Sequence, residues 1–204
     1  MDQRKRFSRA LTHDPTQAAA RAMLHGVGLT PDDLDRPFVG IASTGFEGNP
    51  CNMHLDDLAD AARASTWDAG LCGLRFNTIG VSDGMSMGTP GMRYSLPSRE
   101  VIADSIETVV HAQAYDAIVA VAGCDKNMPG AVIGMARLDR PAILVYGGTT
   151  ASGSFGGRRL NIVSAFEALG EKQAGRLDDA TFEGIVRHAC PGPGSCGGMY
   201  TANT

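Results

Sequence analysis

The sequence predicts an α/β fold, a mainly parallel sheet with helices on both faces, and three observations carry that prediction. Short apolar runs of strand length alternate with longer stretches of helical spacing, as repeated βαβ units do. The 204 residues are 43% apolar and 20% charged, enough for one sizeable α/β core. Polar and glycine-rich motifs follow the apolar runs, where a parallel sheet places its ligand-binding loops. Residues 1–36 read as a helical lead-in and residues 37–204 as part of one α/β domain, with no repeat, low-complexity tract or linker.

Taken in order, Asp14-Pro15 makes an N-cap and N1 pair for a helix through Ala18–Leu24, with Gly26 and Gly28 as stops. Thr30-Pro31-Asp32-Asp33 repeats the start signal for one short turn of helix. Phe38–Ser43 is an apolar run suited to a buried strand, and His54–Ala69 has helical spacing at Leu55, Leu58, Ala62 and Ala69. Asn77–Val81 reads as a second strand. Ser98–Ala112 reads as a helix capped by Ser98, with Val101, Ile102, Ser105, Ile106, Val109 and Val110 inward. Ala117–Ala122 is apolar throughout, as a strand buried on both faces is. Pro129–Leu138 runs helical, Ala142–Tyr146 is a strand, and Asn161–Gly170 and Asp178–His188 are two further helices. Gly147–Gly157 reads as a loop.

Composition excludes several functions. The net charge of −4 and the 6% aromatic content offer neither the basic patch nor the stacking surface of a nucleic-acid binder. No apolar run approaches the roughly 18–20 residues needed to span a bilayer. The start Met1-Asp-Gln-Arg-Lys-Arg6 is basic but lacks the apolar stretch of a secretory leader, which predicts a reducing, cytoplasmic setting. There, five cysteines are read as thiols or metal ligands rather than disulfides.

Three motifs follow predicted strands: Gly45–Cys51, Ser82-Asp83-Gly84 and Gly123-Cys124-Asp125-Lys126. The carboxyl edge of a parallel sheet lets Cys51, Asp83, Cys124, Asp125 and Lys126 converge although they lie far apart in sequence. A fourth motif, Cys190–Gly198, holds Cys196 ahead of an expected helix start at Met199-Tyr200-Thr201. A cysteine at a helix N-terminus gains thiolate character from the dipole. Soft thiolates select iron–sulfur clusters, zinc or copper(I). The chain has no C-x₂-C pair, so it fits neither a zinc ribbon nor a ferredoxin. Two readings stay open from spacing alone: three dispersed thiols on a cluster with one iron position open, or inert buried thiols. Cys72 reads as structural and Cys190 as ambiguous. Asp83, Asp125 and Lys126 likewise divide between an Mg²⁺ site of hard oxygen donors and local roles as a turn, a helix cap and a solvated ion pair. The pattern G-x-S-x-G occurs at Gly80–Gly84 and again at Gly84–Gly88, but the chain breaks at Gly88-Thr-Pro-Gly91 where a nucleophile elbow needs a helix. Gly192–Gly197 fits G-x-G-x-x-G yet follows a predicted helix rather than a strand. His54, His111 and His188 read as packing, surface or helix-end residues.

Taken together, five stretches resemble one family: Gly48–Leu55 (GNPCNMHL), Val81–Gly88 (VSDGMSMG), Tyr94–Ser105 (YSLPSREVIADS), Gly123–Gly130 (GCDKNMPG) and Ala189–Thr204 (ACPGPGSCGGMYTANT). It is the family of dihydroxy-acid dehydratases and their sugar-acid dehydratase relatives, and the resemblance runs from about Phe7 onward. It implies that Cys51, Cys124 and Cys196 ligate an iron–sulfur cluster, and that Asp83, Asp125 and a carboxylated Lys126 belong to an Mg²⁺ site. A cysteine at the position of Cys51 goes with a 2Fe–2S cluster, its absence with 4Fe–4S. The implied reaction is dehydration of 2,3-dihydroxy-3-methylbutanoate-type acids to 2-oxo acids in branched-chain amino-acid synthesis, by a protein that is a homodimer at full length. Two alternatives are a dehydratase of aldonic acids and a non-catalytic iron–sulfur or thiol–metal module. Family members continue through the rest of an N-terminal domain and a β-rich C-terminal domain, which carry the serine base and a further Mg²⁺-binding glutamate. The resemblance thus implies an incomplete N-terminal domain of a larger two-domain enzyme, and an isolated 204-residue chain with little or no turnover.

Overall fold

The described residues of the computed structural model, 2–196, place four apolar runs side by side in one wholly parallel sheet. They are β1 (Phe38–Ser43), β2 (Cys72–Asn77), β3 (Ala117–Ala122) and β4 (Ala142–Tyr146), in the order β2-β1-β3-β4. The helices are α1 (Arg9–Thr12), α2 (Ala18–Gly26), α3 (Pro31–Leu34), α4 (Leu55–Asp68), α5 (Asp83–Ser86), α6 (Ser95–Ala112), α7 (Asn127–Leu138), α8 (Ile162–Gln173) and α9 (Asp179–His188). The period-2 alternation of the strands splits the core between two faces. Phe38 and Ala42 of β1, with Ile118, Ala120 and Ala122 of β3, pack against Ile102, Ile106 and Val110 of α6 and Ala131 and Leu138 of α7. Val39, Ile41 and Val121 pack against Leu55 and Ala59 of α4 on the other face. Each fully buried Ile, Leu or Phe contributes about 1.5–3 kcal/mol. Helices on both faces of a parallel sheet are as predicted.

The strand order fixes where a site can form. From β1 the chain passes through α4 to β2, on one side of β1; it then crosses through α6 to β3 on the opposite side and continues through α7 to β4. The direction of winding reverses between β1 and β3. Loops leaving the carboxyl ends of these two strands therefore diverge and open a crevice.

The second strand differs from expectation. It is Cys72–Asn77 and not Asn77–Val81, because the stretch that alternates is CGLRFN: Leu74 and Phe76 pack on the core while Arg75 and Asn77 face solvent. Beyond it, residues 78–82 form a loop in which a side chain at Gly80 would lie 2.8 Å from Asn52 and Phe46. Asp83 thus stands at the start of α5 after this loop rather than directly behind a strand. The stretch expected to be a loop, 147–157, carries half of a hairpin, β5 (Gly153–Phe155) and β6 (Arg158–Leu160). Gly156 and Gly157 both have positive φ (57° and 77°), as a two-residue hairpin turn requires.

Helix starts also shift. Ser98 lies buried inside α6, which begins three residues earlier from a 3₁₀ turn at Pro90–Tyr94; Pro97 is tolerated in its first turn, where no intrahelical N–H bond is lost. Asp14 bonds Thr16 instead of capping α2, whose N-cap is Gln17. The Thr30 capping box on α3 and the Asn161 and Asp178 caps of α8 and α9 form as their sequences suggest. The lead-in is tied to the sheet by buried Asp116, whose carboxylate accepts from the backbone N–H of Phe7, Ser8 and Phe38 and from the Ser8 hydroxyl. No helix among the described residues is long and apolar enough to cross a membrane.

Candidate active site

The crevice between β1 and β3 gathers three of the cysteines. Residues 44–54 leave β1 and carry Cys51, residues 123–126 leave β3 and carry Cys124, and the loop after α9 brings in Cys196. Cys51 and Cys124 are each 2% exposed, and the Cys51 thiol is within hydrogen-bonding contact of both Cys124 and Cys196. That contact splits the three chemically. Its hydrogen bonds to Cys124 and Cys196, reinforced by burial, push the Cys51 thiol far up. The same bond from Cys51, aided by backbone N–H groups, brings Cys124 down to about 6 and lowers Cys196. The three thiols of this one pocket are therefore unequal, with Cys124 and Cys196 shifted toward the thiolate and Cys51 away from it. Cys72, by contrast, lies in β2 and is pushed up to about 12 by burial, as a structural cysteine is. Cys190 is half-buried.

Beside the thiols lies the second predicted group. Asp83 and Asp125 are 4% and 5% exposed, and the Lys126 ammonium bonds both carboxylates, Asp83 at 2.9 Å. Ser95 at the start of α6 adds a 2.5 Å hydrogen bond to Asp83. Burial alone would raise the Asp83 carboxyl, but its interaction with Asp125 and the hydrogen bonds it accepts from Ser95 and Lys126 outweigh burial and hold it low. Burial likewise opposes the charge on Lys126, and the two carboxylates overcome it and raise its pKa. Two buried carboxylates facing one cation fit a divalent ion at this point. Of the local roles considered from sequence, the cap of α7 falls on Lys126 rather than Asp125, and Asp83 opens the single helical turn α5 behind the Ser82 cap. As the side chains stand, no three His, Cys, Asp or Glu among the described residues are spaced about a single ion.

Sequence reasoning missed the frame that holds these groups, and most of it is amide. Asn49, Asn52 and Asn127 are at most 2% exposed. Asn49 donates to Asn52 at 2.6 Å, and Asn52 donates to the Thr44 carbonyl at 2.5 Å, which fixes the Cys51 loop on β1. Asn127 donates to Gly123 O at 2.8 Å and accepts from Val81 N at 3.1 Å, joining the loops after β3 and β2. A side chain on Gly123 would stand 2.5 Å from the Cys51 carbonyl, so only glycine lets these two loops meet. Cys124 itself has φ +75°, a left-handed conformation costing a non-glycine residue roughly 1–2 kcal/mol. The signal for this frame was the asparagines inside GNPCNMHL and GCDKNMPG, since a buried amide must be fully paired.

The remaining candidates have local roles. The Ser82 hydroxyl caps α5 and the Ser86 hydroxyl bonds the Ser82 carbonyl, so neither acts as an elbow nucleophile. His54 bonds the Gly147 carbonyl at 2.6 Å, His111 contacts Arg140, and His188 bonds Gly184 O and stacks on Phe155. The Gly192–Gly197 stretch follows α9, not a strand. The helix start expected at Met199-Tyr200-Thr201 lies outside the described residues. One cavity joins the two donor sets: Cys51, Cys124, Cys196, Asp83 and Asp125 line it together with an apolar wall of Met87, Ile162, Val163 and Phe166.

The fold and site are those of an α/β protein whose doubly wound sheet gathers three thiols and two buried carboxyl groups at its switch point. The comparisons give its family. Residues 36–204 match the family model of the dihydroxy-acid/6-phosphogluconate dehydratase N-terminal region, and the chain belongs to that family. It is 61% identical over 199 residues to the dihydroxy-acid dehydratase of Cytophaga hutchinsonii, covering 98% of this chain and 35% of that protein. It is similarly 58% identical over 200 residues to the dihydroxy-acid dehydratase of Lactococcus lactis subsp. cremoris (98% and 35%). To the mitochondrial dihydroxy-acid dehydratase of Schizosaccharomyces pombe it is 55% identical over 202 residues (98% and 34%). The chain thus spans about a third of the length of these relatives.

Proposed function

We propose that these residues form the metal-binding part of a hydro-lyase that converts 2,3-dihydroxy-3-methylbutanoate-type acids to 2-oxo acids, in the synthesis of branched-chain amino acids. The observation that carries the reading is the shared cavity, in which three thiols, two buried carboxylates and an apolar wall face one another. The donors fit the two groups implied by the resemblance. Cys51, Cys124 and Cys196 would hold a 2Fe–2S cluster, and Asp83, Asp125 and a Lys126 carboxylated on its amine would hold Mg²⁺. When bound, these groups supply two adjacent Lewis acids, one for the departing C3 hydroxyl and one for the carboxylate and C2 hydroxyl.

The chain's own residues supply the rest. The shifts lower Cys124 and Cys196 and raise Cys51, so loading costs less in proton release at the first two than at Cys51. Lys126 stands where a cation belongs between the two carboxylates. Carboxylation would turn that positive group into an anionic oxygen donor and call for a divalent ion in its place. Ser95 fixes the Asp83 carboxylate through one oxygen and leaves the other toward Lys126. Met87, Ile162, Val163 and Phe166 face the same space, and aliphatic walls suit methyl branches while leaving the hydroxyls of a sugar acid unpaired. This favours the branched-chain acid over an aldonate.

The test is turnover by the full-length protein, loaded anaerobically with iron, sulfide and Mg²⁺. The proposal expects kcat/KM for 2,3-dihydroxy-3-methylbutanoate to exceed that for gluconate or arabinonate by at least tenfold. The reverse preference would transfer the site to sugar acids, and loss of neither substrate would leave a binding module without hydro-lyase activity.

A further inference from the structure

The loop bearing Cys196 is joined to all three of its neighbours within two residues. Gly194 N donates to the Pro50 carbonyl at 2.9 Å, next to Cys51. Ser195 N donates to the Gly148 carbonyl at 2.8 Å and its own carbonyl accepts from Thr150 N at 3.0 Å, so residue 195 lies as a short parallel bridge along the segment that follows β4. The Ser195 hydroxyl oxygen accepts the backbone N–H of Cys124 at 3.3 Å. Ser195 is completely buried. Close approach at Gly194 is built into the sequence: its φ is +116°, and a Cβ there would run into the Thr149–Thr150 backbone.

The N–H that Ser195 receives belongs to the one cysteine held in a left-handed conformation. A buried N–H without an acceptor is costly, and a strained residue keeps its conformation only when its surroundings over-determine it. Asn127 secures the carbonyl on the N-terminal side of Cys124, through Gly123 O, and Ser195 secures its N–H. We infer that Ser195 is a positioning residue for the cluster thiolates, its hydroxyl locking the backbone of Cys124 and setting the register of the Cys196 loop against it. Ser195 is not part of the cavity lining formed by Cys51, Cys124 and Cys196; it acts through Cys124 and Cys196. The inference rests on the cluster assignment of the proposed function.

The test compares Ser195→Ala with Ser8→Ala in the full-length protein reconstituted with iron and sulfide. Ser8 is an equally buried serine at the opposite end of the sheet, bonded to Asp116. For Ser195→Ala the expected results are cluster release to a chelator at least fivefold faster than wild type and a shifted EPR signal of the reduced cluster. Its metal-free melting temperature should stay within a few degrees of wild type. Ser8→Ala should lower the melting temperature and leave release rate and EPR signal unchanged. Unaltered release and EPR in Ser195→Ala would overturn the inference. So would failure of that variant to fold, which would make the hydroxyl a determinant of the fold instead. Wild-type protein that takes up no cluster would defeat the underlying assignment, a distinct outcome.

Discussion

At the scale of single residues the site is a problem of charge. Asp83 and Asp125 are two buried carboxyl groups side by side, and the Lys126 ammonium that bonds both is what makes that arrangement tolerable in the metal-free chain. Replacing Lys126 by Met leaves the pair uncompensated and should destabilise the metal-free chain by roughly 3 kcal/mol, recoverable in part by millimolar Mg²⁺. Urea unfolding with and without Mg²⁺ measures this. The pH dependence follows from the two shifts. The folded-state pKa of Asp83 is lowered, so its contribution is present above its unfolded value of about 3.9 and is lost as pH falls through the folded one. That of Lys126 is raised, so its contribution is present below about 10.4 and is lost as pH rises through the folded value. Asp83→Asn should flatten the acid limb of the stability curve; an unchanged limb would contradict the pairing. Most of these residues were legible, since Cys51, Asp83, Cys124, Asp125, Lys126 and Cys196 were all singled out from their motifs. Ser195 and Ser95 were not, because a serine declares nothing until its burial and partners are known, and the asparagines inside the two motifs were a signal left unread.

At the scale of elements, the sheet and its helices place the loops. β1, β3 and β4 are continuous apolar runs and were legible as strands, β4 proving to be a partly exposed edge, and α4, α8 and α9 were legible as helices. The edge strand β2 was misplaced onto Asn77–Val81, where only Ile79 and Val81 alternate, while the alternating Cys72–Asn77 carries the stronger strand signal of a half-buried edge. The hairpin was missed because its strands have three residues each, too short for periodicity, and only the Gly156-Gly157 pair marks it. The tightest helix contact supports the site from behind. A Cβ on Gly130 in α7 would meet the Arg99 carbonyl at 2.9 Å and Ile102 at 3.0 Å in α6. α6 begins at Ser95 and α7 follows Lys126, so their separation sets the distance between the Asp83 and Asp125 supports. Gly130→Val should therefore cost about 2 kcal/mol through overpacking, read as a lowered urea midpoint, despite the better helix propensity of valine. A midpoint at or above wild type would show that the two helices have room to part.

At the scale of the whole molecule, one feature of topology converts a sequence with scattered cysteines into a site. The winding reverses between β1 and β3, and the loops from those two strands meet the Cys196 loop in the crevice that results. The fold class and the strand-end logic were available from the order of motifs, but the reversal was not, because strand order depends on which face each crossover helix covers. The Cys196 loop was the least legible part, since it follows a helix and reaches the crevice through hydrogen bonds rather than through the sheet. The central claim is that three thiols from three loops hold one iron–sulfur cluster. Its most direct measurement is iron and acid-labile sulfide per chain after anaerobic reconstitution of the full-length protein, made on wild type and on the Cys51→Ala, Cys124→Ala, Cys196→Ala and Cys72→Ala variants. The account predicts about two iron and two sulfide per chain for wild type and for Cys72→Ala, with loss or gross depletion in Cys124→Ala and Cys196→Ala and an altered or labile cluster in Cys51→Ala. Full cluster content in Cys124→Ala or Cys196→Ala, or a colourless wild-type chain that takes up zinc instead, would contradict it.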